Sequence, residues 1–229
     1  MKYLRVIQFF VGTPLIYLVP PLLGWGLDDL AGFFSLSPRL GYAALVVSLG
    51  LVAGYQAMDG LEGLKGGKGK ADKLVHRQSI VKVVVICLMY VFLAVVPFAD
   101  RRGMGVMFES AAMRWLGLAL AGLGFALIFW SGFALGRFYS ADVTIQKNHR
   151  LITTGLYHHI RHPRYLGGVL FAVGFALLFR SWIGLVGSAL FVGVVLFRIK
   201  DEEALMRQEF GQEWETYCQQ SWRLMPYLY

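Results

Sequence analysis

Residues Tyr165–Phe197, YLGGVLFAVGFALLFRSWIGLVGSALFVGVVLF, are two apolar runs parted only by Arg180 and Ser181. As helices, Tyr165–Phe179 and Trp182–Phe197 would each extend roughly 22–24 Å. So short a connection predicts an antiparallel helical hairpin, crossing a thinned or tilted part of a bilayer. Four further apolar blocks lie outward from it, at Val6–Trp25, Leu40–Met58, Ile80–Phe98 and Ala112–Gly136. Blocks of about 20 apolar residues match the thickness of a bilayer core. The expected fold is all-α, a polytopic membrane helix bundle of about six spans. It carries a C-terminal short helical hairpin and ends in an interfacial C-terminal helix.

Composition agrees. Of 229 residues, 57% are hydrophobic and only 16% charged, with a mean hydropathy of +0.56, against about 25% charged in a typical soluble domain. The net charge of +8 sits mainly in short segments between apolar blocks. That pattern suits loops facing an anionic leaflet, and no nucleic-acid partner is expected. Cys87 and Cys218 are isolated, which excludes a disulfide framework and a cysteine zinc motif. Lys2 and Arg5 precede an apolar run punctuated by Pro14, Pro20 and Pro21, with no small-residue cleavage site, so a retained first span is expected.

Orientation follows the distribution of Lys and Arg. With the N-terminus in the cytoplasm, only Arg39, Arg101, Arg102, Arg114 and Arg180 of the 22 basic residues fall outside. Trp25, Trp115 and Trp182 then sit at the outer interface, where indoles concentrate. Both termini are expected in the cytoplasm. The glycine- and lysine-rich Gly60–Lys70 lacks the spacing and hydroxyl of a phosphate loop and reads as a cytoplasmic connection. Gly132 and Gly136 form a GxxxG pair that permits close packing between helices of this chain.

Two polar clusters interrupt the apolar pattern. Arg137–Arg164, RFYSADVTIQKNHRLITTGLYHHIRHPR, holds His149, His158, His159 and His162. The second begins at Arg198 and includes Glu202 and Glu203. The hairpin between them must return both to one membrane face. The histidines lack the spacing and partner ligands of a metal site, and none is expected. Arg198 and Glu202 could form a plain i, i+4 ion pair. At the end of an apolar span, however, ionisable residues are costly and point to function. A solute pathway through a small transporter is the competing reading. It should show internal repeats or paired broken helices, and the sequence has neither.

GLYHHIRHPRYLG (Gly155–Gly167), followed by Arg198-x-x-x-Glu202-Glu203 and Glu209-Phe210-Gly211, resembles the isoprenylcysteine carboxyl methyltransferase family. Phospholipid methyltransferases share that broad superfamily. The similarity runs from about Leu135 to Pro226, including HRLITTG before the core motif and WRLMP near the end. It implies a division into N-terminal transmembrane helices (1–134) and a catalytic module (135–229). It also implies S-adenosyl-L-methionine as methyl donor and S-adenosyl-L-homocysteine as product. By the same resemblance His149, Arg150, Leu151, Ile152, Tyr157, His162, Pro163, Arg164 and Tyr165 line the cofactor pocket. Thr144 or Gln146 supplies a further contact. Arg198 falls to the substrate side and Glu202 to the cofactor side, with Glu203 close by, and these first two are the catalytic candidates.

The residue chemistry suits those roles. Tyr157 and Tyr165 offer aromatic faces to a sulfonium, and Glu202 can pair with an ammonium. Arg198 offers a planar fork for a carboxylate or phosphate. The resemblance points first to an isoprenylcysteine-type carboxylate acceptor; a phospholipid amine, a small thiol or another lipid remain open. The implied partners are the bilayer and an amphiphilic substrate, with no obligate protein partner. Leu205, Met206, Phe210, Trp214 and Tyr217 recur near helical spacing, predicting an amphipathic helix on the cytoplasmic interface, broken around Gly211, that covers the pocket.

Overall fold

The computed structural model describes residues 2–58, 73–74, 76–135, 144–145 and 150–227. Ten helices appear among them: α1 (Lys2–Tyr17), α2 (Val19–Trp25), α3 (Leu30–Ser35), α4 (Ser37–Met58), α5 (His76–Arg102), α6 (Ala111–Leu135), α7 (Leu156–His159), α8 (Pro163–Leu178), α9 (Trp182–Phe210) and α10 (Gln212–Gln220). A two-residue antiparallel pairing, Lys73–Leu74 with Thr144–Ile145, is the sole sheet among the described residues. Four helices are long and apolar enough to cross a membrane: Ser37–Gly54, Ile80–Arg102, Ala111–Leu135 and Trp182–Phe210. Val83, Leu88, Val91, Trp130, Val186 and Leu190 are among their exposed apolar side chains, as lipid-facing surfaces require. The chain is an integral, multi-pass membrane protein.

The first expected span, Val6–Trp25, is not one straight helix. It breaks at Leu18 and, after Gly26, bends by 86° into Leu27–Ser35. The prolines explain the break. Pro21 has no N–H for the carbonyl of Tyr17, and the hydroxyl of Tyr42 donates to that oxygen instead, at 2.5 Å. If the bent pair is one span the total is five, and α8, at 16 residues, is apolar but shorter. The expected count of about six therefore stands at four, or five with the bent pair.

A second difference matters more for the site. The last span, expected to end at Phe197, continues to Phe210 as one helix of 29 residues, about 44 Å long. Arg198–Phe210 contains no glycine or proline, and its Lys, Glu, Ala, Leu, Met and Arg are strong helix formers. The helix stops where Gly211 takes a φ of +52°, a left-handed conformation that glycine adopts without steric cost.

Contacts divide the chain into two units. One comprises Met1–Leu61, Ile86–Leu123 and Leu170–Leu190; the other comprises Glu62–Val85, Gly124–Val169 and Phe191–Tyr229. The core of the first is aromatic. Phe175 packs against Tyr42, Phe92, Phe171 and Phe179, with ring centroids 4.8–5.7 Å apart. The predicted hairpin turn is present. Its backbone is pinned to the α5–α6 connection, with Met107 N–H donating to Arg180 O at 2.7 Å and Trp182 N–H to Gly105 O at 2.9 Å.

Close helix packing lies at glycines other than Gly132. A Cβ on Gly132 would meet nothing nearer than Arg164 at 3.8 Å, and Gly136 lies outside the described residues. On α6 and α8, by contrast, a Cβ on Gly117 would lie 2.6 Å from the carbonyl oxygen of Gly174, and one on Gly174 would lie 2.6 Å from that of Gly117.

The arginines assigned to the outer side are neutralised where they are buried. Asp100, 5% exposed, accepts from Arg114 at 3.1 Å and from Arg180 at 2.7 Å, and lies 3.7 Å from Arg39. Glu109 also accepts from Arg114 at 2.8 Å and pairs with Arg180 at 2.9 Å. The Arg39 guanidinium stacks 4.1 Å from the Trp25 ring, and Arg114 donates to the terminal α8 carbonyl of Leu178 at 2.8 Å. This one carboxylate thus gathers the start of α4, the end of α5, the start of α6 and the α8–α9 turn.

Two outcomes follow in detergent-solubilised thermal unfolding. Gly174→Ala should cost about 1–3 kcal/mol through overpacking, while Gly132→Ala should be neutral. Asp100→Ala, which strands buried arginines, should cost about 3–5 kcal/mol.

Candidate active site

The site lies within the second unit and starts from a turn. Gly155 adopts φ +62° immediately before α7, which turns the chain so that Tyr157 points inward. Tyr157 is buried, and its hydroxyl donates to the Ser131 carbonyl at 3.3 Å. Burial pushes its phenol well above the ordinary tyrosine value, and the charge of Glu202 adds to the effect. After α7, Ile160 is extended, and the chain bends at Arg161 before Pro163, the first residue of α8. Proline suits that position because its missing N–H is unneeded there.

Across from this segment, α9 presents its polar turn. The Tyr165 hydroxyl donates to Glu202 at 2.8 Å and accepts from Arg198 Nε at 3.3 Å. The buried His162 ring lies between two carboxylates, with Nε2 at 3.3 Å from Glu203 and Nδ1 at 3.9 Å from Glu202. Arg198 is 9% exposed, whereas the Glu202 side chain is 28% exposed. Glu202 therefore retains acceptor capacity toward the outside.

Glu203 differs from its neighbour. It is 3% exposed and its carboxylate meets Arg161 at 3.1 Å and Arg223 at 2.8 Å, in addition to His162. Arg161 also donates to the carbonyls of Cys218 and Ser221. Neither Arg161 nor Arg223 was singled out from the sequence. Their side chains answer a buried acid on another element, a relation no local spacing encodes.

The remaining expected residues are distributed around this centre. Leu151 and Ile152 are half-buried, Arg150 is exposed, and Pro163 is buried. Arg164 is half-buried, and its charge acts on the Tyr157 phenol. His149 and Gln146 lie outside the described residues, as does the side chain of Thr144. A cavity of about 340 Å³ is lined by Leu151, Thr153, His158, Glu213, Thr216 and Tyr217, the last of which bonds to the Tyr157 backbone. That volume is in the range of small-molecule sites.

The helix expected beyond Gly211 is α10, and the break at Gly211 is where the sequence placed it. Its apolar face is spent on protein: Trp214 and Tyr217 are buried, and the Tyr217 hydroxyl donates to the Tyr157 carbonyl at 2.6 Å. Burial pushes that phenol up to about 12. Tyr217→Phe should leave the carbonyl without its donor and lower stability by about 1–3 kcal/mol, read as a fall in the detergent unfolding midpoint.

Comparison with known proteins bears on the same residues. The phospholipid methyltransferase family profile matches residues 112–213. A probable protein-S-isoprenylcysteine O-methyltransferase of Oryza sativa subsp. japonica is 30% identical over 117 residues, covering 50% of this chain and 61% of that protein. The protein-S-isoprenylcysteine O-methyltransferase of Schizosaccharomyces pombe is 36% identical over 76 residues, covering 31% of this chain and 30% of that protein. The first of these matches thus spans about three fifths of the relative's length. The solved structure of the eukaryotic intramembrane Ras methyltransferase ICMT superposes with a TM-score of 0.50 at 20% identity, covering 99% of this chain and 97% of that one. The resemblance read from Gly155–Gly167 and Arg198–Glu203 is borne out, and the chain is ICMT-like in fold with a phospholipid methyltransferase match over residues 112–213.

Proposed function

We propose that this protein is an S-adenosyl-L-methionine-dependent membrane methyltransferase acting on an amphiphilic acceptor. Residues 135–229 would form its catalytic module and residues 1–134 its supporting membrane helices. The observation that carries the reading is the Arg198–Tyr165–Glu202 contact chain, which joins the two polar clusters through one phenol.

The side chains fit the donor. Glu202 is an accessible carboxylate for its ammonium group, and Tyr157 and Tyr165 supply aromatic surface. The neighbouring polar cavity has room for a nucleoside-sized group. When bound, S-adenosyl-L-methionine supplies an electrophilic methyl group on a sulfonium. The protein's task is then to hold donor and acceptor at attack distance. Arg198 would fix a carboxylate acceptor through two parallel N–H bonds, leaving an oxygen lone pair directed at the methyl. An ionised carboxylate has no proton to lose, so His162 serves as a hydrogen-bonding and shaping residue without acting as base. The best-fitting acceptor is an isoprenylcysteine-type carboxylate, the substrate class that the rice and fission-yeast relatives are named for. The hairpin offers the acceptor lateral access from the bilayer. The bias of basic residues supports a cytoplasmic side for this site and both termini.

Calorimetric titration of the purified protein with S-adenosyl-L-homocysteine tests the reading. Wild type should bind; a folded sample that gives no heat would overturn it. Arg198→Ala should retain that binding and lose turnover by roughly two orders of magnitude or more, as loss of a charged hydrogen-bond pair predicts. Replacing Tyr157 or His162 should weaken binding itself.

A further inference from the structure

We propose that Glu203 is a positioning residue: it clasps a C-terminal strap, Ser221–Arg223, against the segment that carries His162, and this strap sets the geometry of the site. The inference rests on the reading above only for its functional consequence. Its structural basis is separate.

The strap is attached by backbone as well as side chain. Trp222 N–H donates to the His159 carbonyl at 2.8 Å, Arg161 N–H to Trp222 at 2.8 Å, and His162 N–H to Arg223 at 3.1 Å. Ile160 and Trp222 form a parallel bridge. Residues 159–162 thus find strand-like partners in a stretch about sixty residues downstream, beyond α10. Ser221 is buried, and its hydroxyl donates to the Tyr217 carbonyl at 2.6 Å, tying the strap to α10.

Glu203 locks this arrangement. Its Oε1 accepts from Arg161 Nε and Arg223 Nε, each at 3.1 Å, and lies 3.3 Å from His162 Nε2. The two arginines and the His162 ring come from the segment before α8 and from the strap itself. A carboxylate so occupied has little capacity left for a ligand. The adjacent Glu202, which accepts from Tyr165 and keeps a solvent-accessible side, does have such capacity. The paired acids therefore divide their labour: Glu202 faces the ligand, and Glu203 holds the frame. Because His162 immediately precedes Pro163, a shift of the strap moves the start of α8 and, with it, Tyr165. The C-terminal segment becomes part of the site without contacting the reacting atoms.

The test uses the full chain in detergent, with Arg223→Ala, Arg223→Lys and Glu203→Gln. Hydrogen exchange at the Arg161, His162 and Trp222 amides should quicken at least tenfold in Arg223→Ala. Affinity for S-adenosyl-L-homocysteine should fall about tenfold, a loss of about 1.4 kcal/mol, with the global unfolding midpoint little changed. Arg223→Lys, which keeps the charge, should recover most of both. Unaltered exchange and affinity in Arg223→Ala would overturn the proposal, and if Glu203→Gln fails to fold the Arg223 pair decides alone. Should wild type itself bind no S-adenosyl-L-homocysteine, the methyltransferase reading falls, while the exchange rates still decide whether the strap is clasped.

Discussion

A carboxylate taken out of water must find a donor for its lone pairs, and Glu203 finds two guanidinium groups, Arg161 and Arg223, on segments that are remote in sequence. Leaving such a charge unmatched costs several kcal/mol, so this acid dictates where its partners go. Arg161 and His162 are drawn in from the segment before α8, and Arg223 from the C-terminal strap. The polar turn of α9 is therefore a junction. Once it is made, Tyr165 has Glu202 and Arg198 within reach of one hydroxyl.

The same constraint operates in the first unit with the signs reversed in emphasis. There three arginines, Arg39, Arg114 and Arg180, converge on Asp100, and Glu109 supplies a second carboxylate to Arg114 and Arg180. Hydrocarbon offers no solvent for a stray charge or an open backbone group. The chain meets that condition by placing charges at helix ends and answering them there. The stretches between, such as Phe171 and Phe175 of α8 with Phe179 just beyond it, are left to apolar packing.

Glu202 and Glu203, neighbours on α9, sit in different surroundings. Glu203 is enclosed and its partners are assigned. Glu202, one residue earlier, lies about 100° around the helix from it and keeps an open side. The proposed methyl transfer asks for positioning above all, which a frame held by ion pairs would supply.

The sequence alone determined the class of fold, the hairpin and the positions of the two polar clusters. Those features are local: apolar block length, a two-residue turn, helical spacing from Arg198 to Glu202, glycine at 155 and 211. Local patterns could not foresee that α9 would continue through its polar turn, because a polar stretch after an apolar run looks the same whether a helix ends or persists. Nor could they show that prolines in the first span would break it, with Tyr42 satisfying the carbonyl left open at Tyr17. The helix contacts at Gly117 and Gly174, and the clasp of Arg161 and Arg223 on Glu203, were decided by tertiary structure alone. Burial is what turns a surface charge into a demand for a partner, and burial exists only once distant segments have packed.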